Sequence, residues 1–228
     1  MRMKSIFRHE TILFLVVIVA LVILSIQAEQ FATIDNLLNQ GRFLTEVSLV
    51  ALIMTFVIVT GGIDLSVGSI LGLSAIVLGV AWKKLGLPLP LAILVALSVG
   101  TLAGLFNGII ITRFKVPPLI ATLATLALYR GLAEGISQAR SIRGYPEWFF
   151  ILGQGEFFGI PTQLWIVAFF TLLTGFILTY TTWGRATYAI GANETAARFS
   201  GIAVDKTKLL IYAASGFAAS LAAIIFVS

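Results

Sequence analysis

The chain has no cysteine among its 228 residues and a single histidine, His9. Disulfides and thiolate metal sites are therefore excluded. With its one histidine in the polar N-terminal segment, so is an intramembrane histidine relay. Charge is scarce too: 11% of residues are Asp, Glu, Lys or Arg, where soluble domains carry about 25%. The sequence holds no Gly-x-x-x-x-Gly-Lys-Ser/Thr run, hence no P-loop for ATP, and no His-Glu-x-x-His or nucleophile-elbow pattern, hence no visible hydrolase chemistry. No cofactor or metal is expected.

What is present is apolar: 59% of the residues are hydrophobic and the mean hydropathy is +1.03. Together with the charge deficit, this predicts an integral membrane protein. The formal net charge of +5 does not point to nucleic acid, because the cations sit in short loops beside apolar runs, where membrane topology accounts for them.

A spanning helix needs about 20 apolar residues. Thr11 to Ile26 is the first such run, an uncleaved anchor behind Arg2, Lys4 and Arg8. A polar stretch, Gln27 to Arg42, precedes the second run, Phe43 to Thr60. Ile70 to Trp82 is short, a half-helix or a span that begins near Leu65. Leu91 to Thr112, Leu119 to about Gly135, Thr162 to Tyr180 and Leu209 to Val227 follow. The expected fold is all-α, a polytopic transmembrane helix bundle of about seven membrane segments, one of them broken. Gly100, Gly104 and Gly108 share one helical face, which suits close packing in lipid. The aromatics between Ser137 and Pro161 are expected in the interfacial belt.

The break is Gly61-Gly62-Ile63-Asp64-Leu65-Ser66-Val67-Gly68-Ser69. Asp64 is the only charged residue between Glu46 and Lys83, and a carboxylate at that depth costs roughly 3 kcal/mol on insertion scales. Glycine and serine around it allow a helix to stop and restart where backbone polar groups line a cavity. Gly61, Gly62, Asp64, Ser66, Gly68 and Ser69 are therefore candidate pathway or hinge residues. Asp64 could contact solute or cap the following helix through N–H groups near Ser66 and Val67; the cap is favoured, because the break lies toward the inner side. Asn107, among the glycines of its helix, suits an interhelical hydrogen bond. Arg130 stands four residues before Glu134; snorkelling to the outer interface is favoured over lining a polar pathway.

Nine lysines and arginines fall on one side of the predicted spans and five on the other, with Arg130 within a span. The excess predicts an inside N-terminus. The inside segment Thr181 to Lys208 is too long for a turn. Asn193 can cap a short helix from Glu194 to Ser200, Gly201 can stop it, and Asp205 is the expected cap of the last membrane helix. That short helix, flanked by Arg185 and Arg198, could dock in a partner's groove or lie solvated with no partner. Spacing does not separate the two.

The break resembles the signature of permease subunits of bacterial ABC importers for ribose, xylose, rhamnose and related sugars, with the autoinducer-2 permeases in the same group. Further stretches agree in order along nearly the whole chain: Pro117 to Leu126 with Tyr129-Arg130-Gly131, Gly184-Arg185 with Tyr188 to Gly191, Asn193 with Ala196 to Arg198 and Ser200 to Ile202, and Tyr212 with Ser215-Gly216. Ala124 and Ala192 stand where the family usually has glycine. Family members usually continue through further spans, so residues 1–228 are expected to be one permease domain, incomplete at the C-terminus, with 181–208 as a cytoplasmic coupling loop.

The resemblance implies a non-enzymatic subunit, multi-pass in a bacterial cytoplasmic (inner) membrane, that imports a small sugar. It implies cytoplasmic ATP-binding subunits, a second permease subunit (the same chain or a different one) and a periplasmic sugar-binding protein. Gly184, Arg185, Asn193, Glu194, Ala197, Arg198 and Gly201 are the expected ATPase-coupling residues. Two rival readings stand: an ion- or proton-coupled secondary transporter with Asp64 titrating, and a non-transporting membrane scaffold.

Overall fold

The computed structural model describes residues 9–138, 140 and 142–228, so the basic residues Arg2, Lys4 and Arg8 that argued for an inside N-terminus lie outside the described residues. The described chain is helical apart from short connections and forms two units, divided after Phe43.

The first unit holds α1 (His9–Gln27) and α2 (Ile34–Phe43). Along α1 the large apolar side chains from Ile12 to Ile26 are all exposed, as lipid-facing residues would be. Within the polar stretch between the first two apolar runs, α2 forms with Asp35 in its first turn and Arg42 in its last, each favourable to the helix dipole.

The second unit runs through α3 (Thr45–Val59), α4 (Val67–Lys83), α5 (Leu89–Arg113) and α6 (Pro118–Ser137). A 3₁₀ turn (Glu147–Phe150), α7 (Ile151–Gln154) and a two-stranded hairpin, β1 (Glu156–Phe157) with antiparallel β2 (Ile160–Pro161), then lead to α8 (Thr162–Tyr180). The chain finishes with α9 (Thr182–Ala192), α10 (Glu194–Phe199) and α11 (Val204–Val227). Proline opens α5 and α6 from the first turn, where its missing N–H has no helical partner to lose.

Among the described residues four helices, α5, α6, α8 and α11, are long and apolar enough to cross a membrane; Ile34–Phe43 and Thr45–Val59 counted together make a fifth. The expected number was about seven. The shortfall is Thr11–Gln27 and Val67–Lys83, apolar helices shorter than a full span by length.

Helix α11 is the axis of this unit. It packs against α3, α4 and α5, and its buried residues include Ile211, Tyr212, Ser215, Gly216, Ala219, Ser220 and Ala222. The glycine face of α5 meets it as the four-residue spacing predicts. A Cβ on Gly104 would stand 2.1 Å from the Tyr212 carbonyl oxygen, and one on Gly216 2.0 Å from the Gly100 carbonyl oxygen. Contact between small-residue backbones replaces the hydrophobic effect as the cohesive term where lipid is as apolar as the side chains.

Three expectations change. Residues 182–192 form a full helix, α9, capped by Thr181, whose side chain accepts from the Gly184 N–H. Helix α11 starts at Val204, so Asp205 sits inside its first turn with Ala203 at the cap position. The aromatics between Ser137 and Pro161 divide: Trp148, Phe157 and Phe158 are exposed, while Phe149 is wholly buried against Leu78, Leu89 and Ile224.

Candidate functional site

Helix α3 ends in a Schellman motif. Gly61 has φ +76° and donates to the Ile58 carbonyl, while the Gly62 N–H reaches back to the Val57 carbonyl. The chain then runs extended to Ser66, with Ile63 and Leu65 exposed and Asp64 2% exposed between them. That alternation is the period-2 geometry of extended backbone. From α6, the Thr122 hydroxyl lies 3.2 Å from the Ile63 carbonyl oxygen and 2.9 Å from the Pro118 carbonyl oxygen of its own helix, one O–H between two acceptors.

Asp64 is enclosed by neutral donors. Its Oδ1 accepts from the Ser66 N–H at 3.0 Å and the Ser66 hydroxyl at 2.6 Å. Its Oδ2 accepts from the Ser215 hydroxyl on α11 at 2.9 Å. Ser66 Oγ accepts in turn from Asn107 Nδ2 on α5 at 2.7 Å. The Tyr129 hydroxyl on α6 lies 2.8 Å from the Ala103 carbonyl oxygen and 3.1 Å from Asn107 Oδ1, one O–H between two acceptors. Asp64, Ser66, Asn107, Tyr129 and Ser215 are all buried. One connected network thus ties the break to α5, α6 and α11, with no cation paired to its carboxylate among the described residues. In a low-dielectric interior such charge-assisted bonds are strong and the penalty for leaving one unmade is high.

The cap expectation is met in part. The Ser66 N–H is engaged, but Ser66 itself occupies the N-cap position of α4, and the second carboxylate oxygen leaves the local chain altogether for α11. Tyr212 crowds the same corner: a Cβ on Gly62 would meet its hydroxyl at 2.7 Å.

Beyond the break the surface opens into a groove of about 610 Å³, lined in part by Leu65, Gly68, Ser69, Gly72, Arg130 and Glu134. Arg130 and Glu134 form an exposed ion pair at 3.2 Å along the groove wall. The Ser69 hydroxyl donates to the Ser66 carbonyl at 2.7 Å. The residues expected as one constellation are therefore two sets. Gly62, Asp64, Ser66 and Asn107 belong to the packed interior, Gly68, Ser69 and Arg130 to the groove, and Gly61 is exposed at the turn that ends α3. Ser215 and Tyr129, which complete the interior network, entered the sequence reading only within longer matching stretches. A hydroxyl carries no sign of which distant carboxylate it will meet.

The second candidate region is at 181–208. Asn193 caps α10, its Oδ1 accepting from the Ala196 N–H at 2.9 Å. Gly201, at φ +84°, stops the helix in a second Schellman motif, with bonds from Gly201 to the Arg198 carbonyl and from Ile202 to the Ala197 carbonyl. Ala197 is buried with Ile190 and Val204, and Gly184 is buried where α9 turns away from α8. Arg185, Asn193, Arg198 and Gly201 are exposed and Glu194 is half-buried.

Charge closes this region. Arg198 pairs with Glu194 at 2.9 Å and with Asp205 at 2.5 Å; Lys208 reaches Glu194 at 2.5 Å, and Lys115 of the α5–α6 loop reaches Asp205 at 3.1 Å. The Lys208 hydrogen bond above all, with help from Arg198 and against partial desolvation, holds the Glu194 carboxyl below its ordinary range. The bond to Asp205, then that to Glu194, holds the Arg198 guanidinium above its own.

Residues 34–228 match the family described as "Branched-chain amino acid transport system / permease component". The chain is similar to the ribose import permease protein of Haemophilus influenzae, 38% identical over 219 residues that cover 94% of this chain and 68% of that one. It resembles the L-arabinose transport system permease protein of Escherichia coli at 36% over 206 residues, covering 87% and 60%. With the autoinducer 2 import system permease protein of an Enterobacter species it shares 39% over 180 residues, covering 79% and 52%. No solved structure matches it.

Proposed function

This chain belongs to the family of branched-chain amino acid transport system permease components, and from that premise we propose that it is the membrane-spanning permease subunit of an ATP-driven importer for a small sugar. The observation that carries the reading is the similarity to ribose, L-arabinose and autoinducer 2 permeases over most of the chain. Their names favour a small, neutral, hydroxyl-rich solute over the amino acids of the family's description.

The geometry is compatible with such a solute. An amino acid carries two charges that would each need a partner in the wall, whereas the groove beside the break presents one self-compensated ion pair and two serines, Ser69 and Ser137, on an otherwise apolar wall. In this scheme Gly68, Ser69 and Arg130 face the path, and Asp64, Ser66 and Asn107 hold the broken helix in shape behind it. A second permease subunit closes the path, and a periplasmic sugar-binding protein delivers solute to it. The chain sits in a bacterial inner membrane with its N-terminus inside. Residues 181–208 face the cytoplasm, and ATP hydrolysis belongs to a separate subunit that docks there. The proton-driven alternative draws less support, because Asp64 is shut in by neutral donors and does not line the groove.

The test is uptake of labelled ribose and L-arabinose into vesicles holding the chain with its partner subunits. Transport of either that needs ATP and survives a protonophore is expected. Uptake that continues without ATP and stops with the protonophore would hand the function to secondary transport.

A further inference from the structure

Tyr212 is the largest fully buried side chain among the described residues, and its hydroxyl has no hydrogen-bond partner among them. The hydroxyl lies against Gly62, where a Cβ would meet it at 2.7 Å. That is two residues from Asp64, and the tyrosine is within electrostatic reach of the carboxylate. A buried hydroxyl with nothing to donate to is costly, and phenylalanine would fill the same space without the cost.

Asp64 is the acceptor at hand. Its Oδ1 is taken up by Ser66, through both N–H and hydroxyl, whereas Oδ2 has a single donor, Ser215 of α11. Tyr212 and Ser215 are both buried on α11, three residues apart, which makes them neighbours on one helical face. A carboxylate oxygen can take a hydroxyl from either. The break itself is tied to α5, because Asn107 donates to Ser66 Oγ. Between α5 and α11 the contact at Gly104 and Gly216 is backbone against backbone. A joint of that kind has no interlocked side chains at its centre to stop one helix from sliding along the other.

We propose that Asp64, Ser215 and Tyr212 form a two-position latch between the break and α11. Oδ2 accepts from Ser215 in the present arrangement and from the Tyr212 hydroxyl after α11 slides along α5, while Oδ1 stays with Ser66. Discrete shifts of one packed helix past another are an established kind of switch, and here the exchange keeps the carboxylate solvated in both positions. Tyr212 is then a positioning residue of the transport cycle and touches no solute. The inference rests on the importer reading above, with ATP hydrolysis in the partner subunit as the driver of the slide.

The experiment reconstitutes the full chain with its partner subunits and compares wild type, Tyr212→Phe and Ser215→Ala. It reads ATP-driven uptake of labelled ribose and L-arabinose, thermal melting without ATP, and the infrared difference spectrum induced by ATP. Tyr212→Phe is expected to raise the melting temperature, because it removes an unpaired hydroxyl from the present arrangement. It should also lower kcat for uptake by about tenfold with KM unchanged. A tyrosine C–O band that shifts with ATP in wild type should be missing from its spectrum. Ser215→Ala should lower the melting temperature and shift that band before ATP is added. If wild type transports and Tyr212→Phe transports equally well, the latch is wrong while the importer reading stands. A melting temperature that falls in Tyr212→Phe also overturns the latch, because the hydroxyl is then already bonded, to water or to Asp64. If wild type shows no ATP-driven uptake, the importer reading fails, and the latch, which needs that driver, fails with it.

Discussion

The membrane-embedded break at 60–66 and the loop at 193–205 are built with the same devices and compensate charge in opposite ways. Each has a helix stopped by a left-handed glycine in a Schellman motif, Gly61 in one and Gly201 in the other. Each has a short polar side chain accepting a backbone N–H close by, from Asp64 to Ser66 and from Asn193 to Ala196. In the break, the carboxylate is 2% exposed and is satisfied by hydroxyls and an amide N–H. In the loop, the carboxylates are paired with Arg198, Lys208 and Lys115 at side-chain exposures of 42% and 47%.

The difference follows from the solvent. A buried ion pair requires two charges to be desolvated, whereas hydroxyls can solvate one carboxylate without adding a second. In water, cations are inexpensive to bring and the gain is small and screened. The break is therefore a rigid part whose members fail together, and the loop is one whose members can be removed singly.

The largest expected effect is at Asp64. Asp64→Ala strands the Ser66 and Ser215 hydroxyls and the Ser66 N–H, and should cost about 2–4 kcal/mol. Asp64→Asn keeps an acceptor for Ser66 and offers its amide to a hydroxyl that can rotate, so it should cost about half as much. Thermal melting in detergent with uptake measured in parallel checks both. Equal losses from the two variants in well-folded protein would break the contrast, because a purely geometric role tolerates the amide and a role requiring the charge does not.

The same contrast explains what the sequence could reveal. Asp64 stood out because a lone carboxylate in an apolar run is costly, and Gly100, Gly104 and Gly108 because their spacing places them on one face. Both signals are local, and the structure places the glycines against α11. Ser215 lies 151 residues from Asp64, and no periodicity ties a serine to so distant a partner. Helix α9 was hidden for a different reason. Its composition, with Gly184, Arg185 and Gly191, reads as loop, and its helical state rests on the Thr181 cap and on burial of Thr187 and Ile190. The groove and the interior network were read as one set because both sit at the break, and only the turn at Ser66 separates the side chains that face in from those that face out.

A middle-sized effect is expected at Asn193. Asn193→Ala removes the cap of α10 and should destabilise that helix by about 1 kcal/mol, with little change in global melting because the buried network does not depend on it. Hydrogen exchange at residues 194–199 is the measurement. If the whole bundle melts earlier by as much as in Asp64→Ala, the loop is not separable from the core and the comparison fails.

The smallest effect is the response of the loop to pH. The Glu194 carboxyl is held below its ordinary value by Lys208 first and by Arg198. Its contribution is therefore fully present above the unfolded value of about 4.3. It is lost as pH falls through the lower folded value. Exposure and screening limit that contribution to about 0.5 kcal/mol. A spin label at Thr195 should report unchanged order of α10 from pH 8 to 5 and loosening only below about pH 4. Raising the salt concentration at pH 7 should shift it in the same direction. Loosening between pH 5 and 7 would place the titration on some group other than this carboxylate. It would also mean that the loop's charges are not matched as the ion pairs indicate.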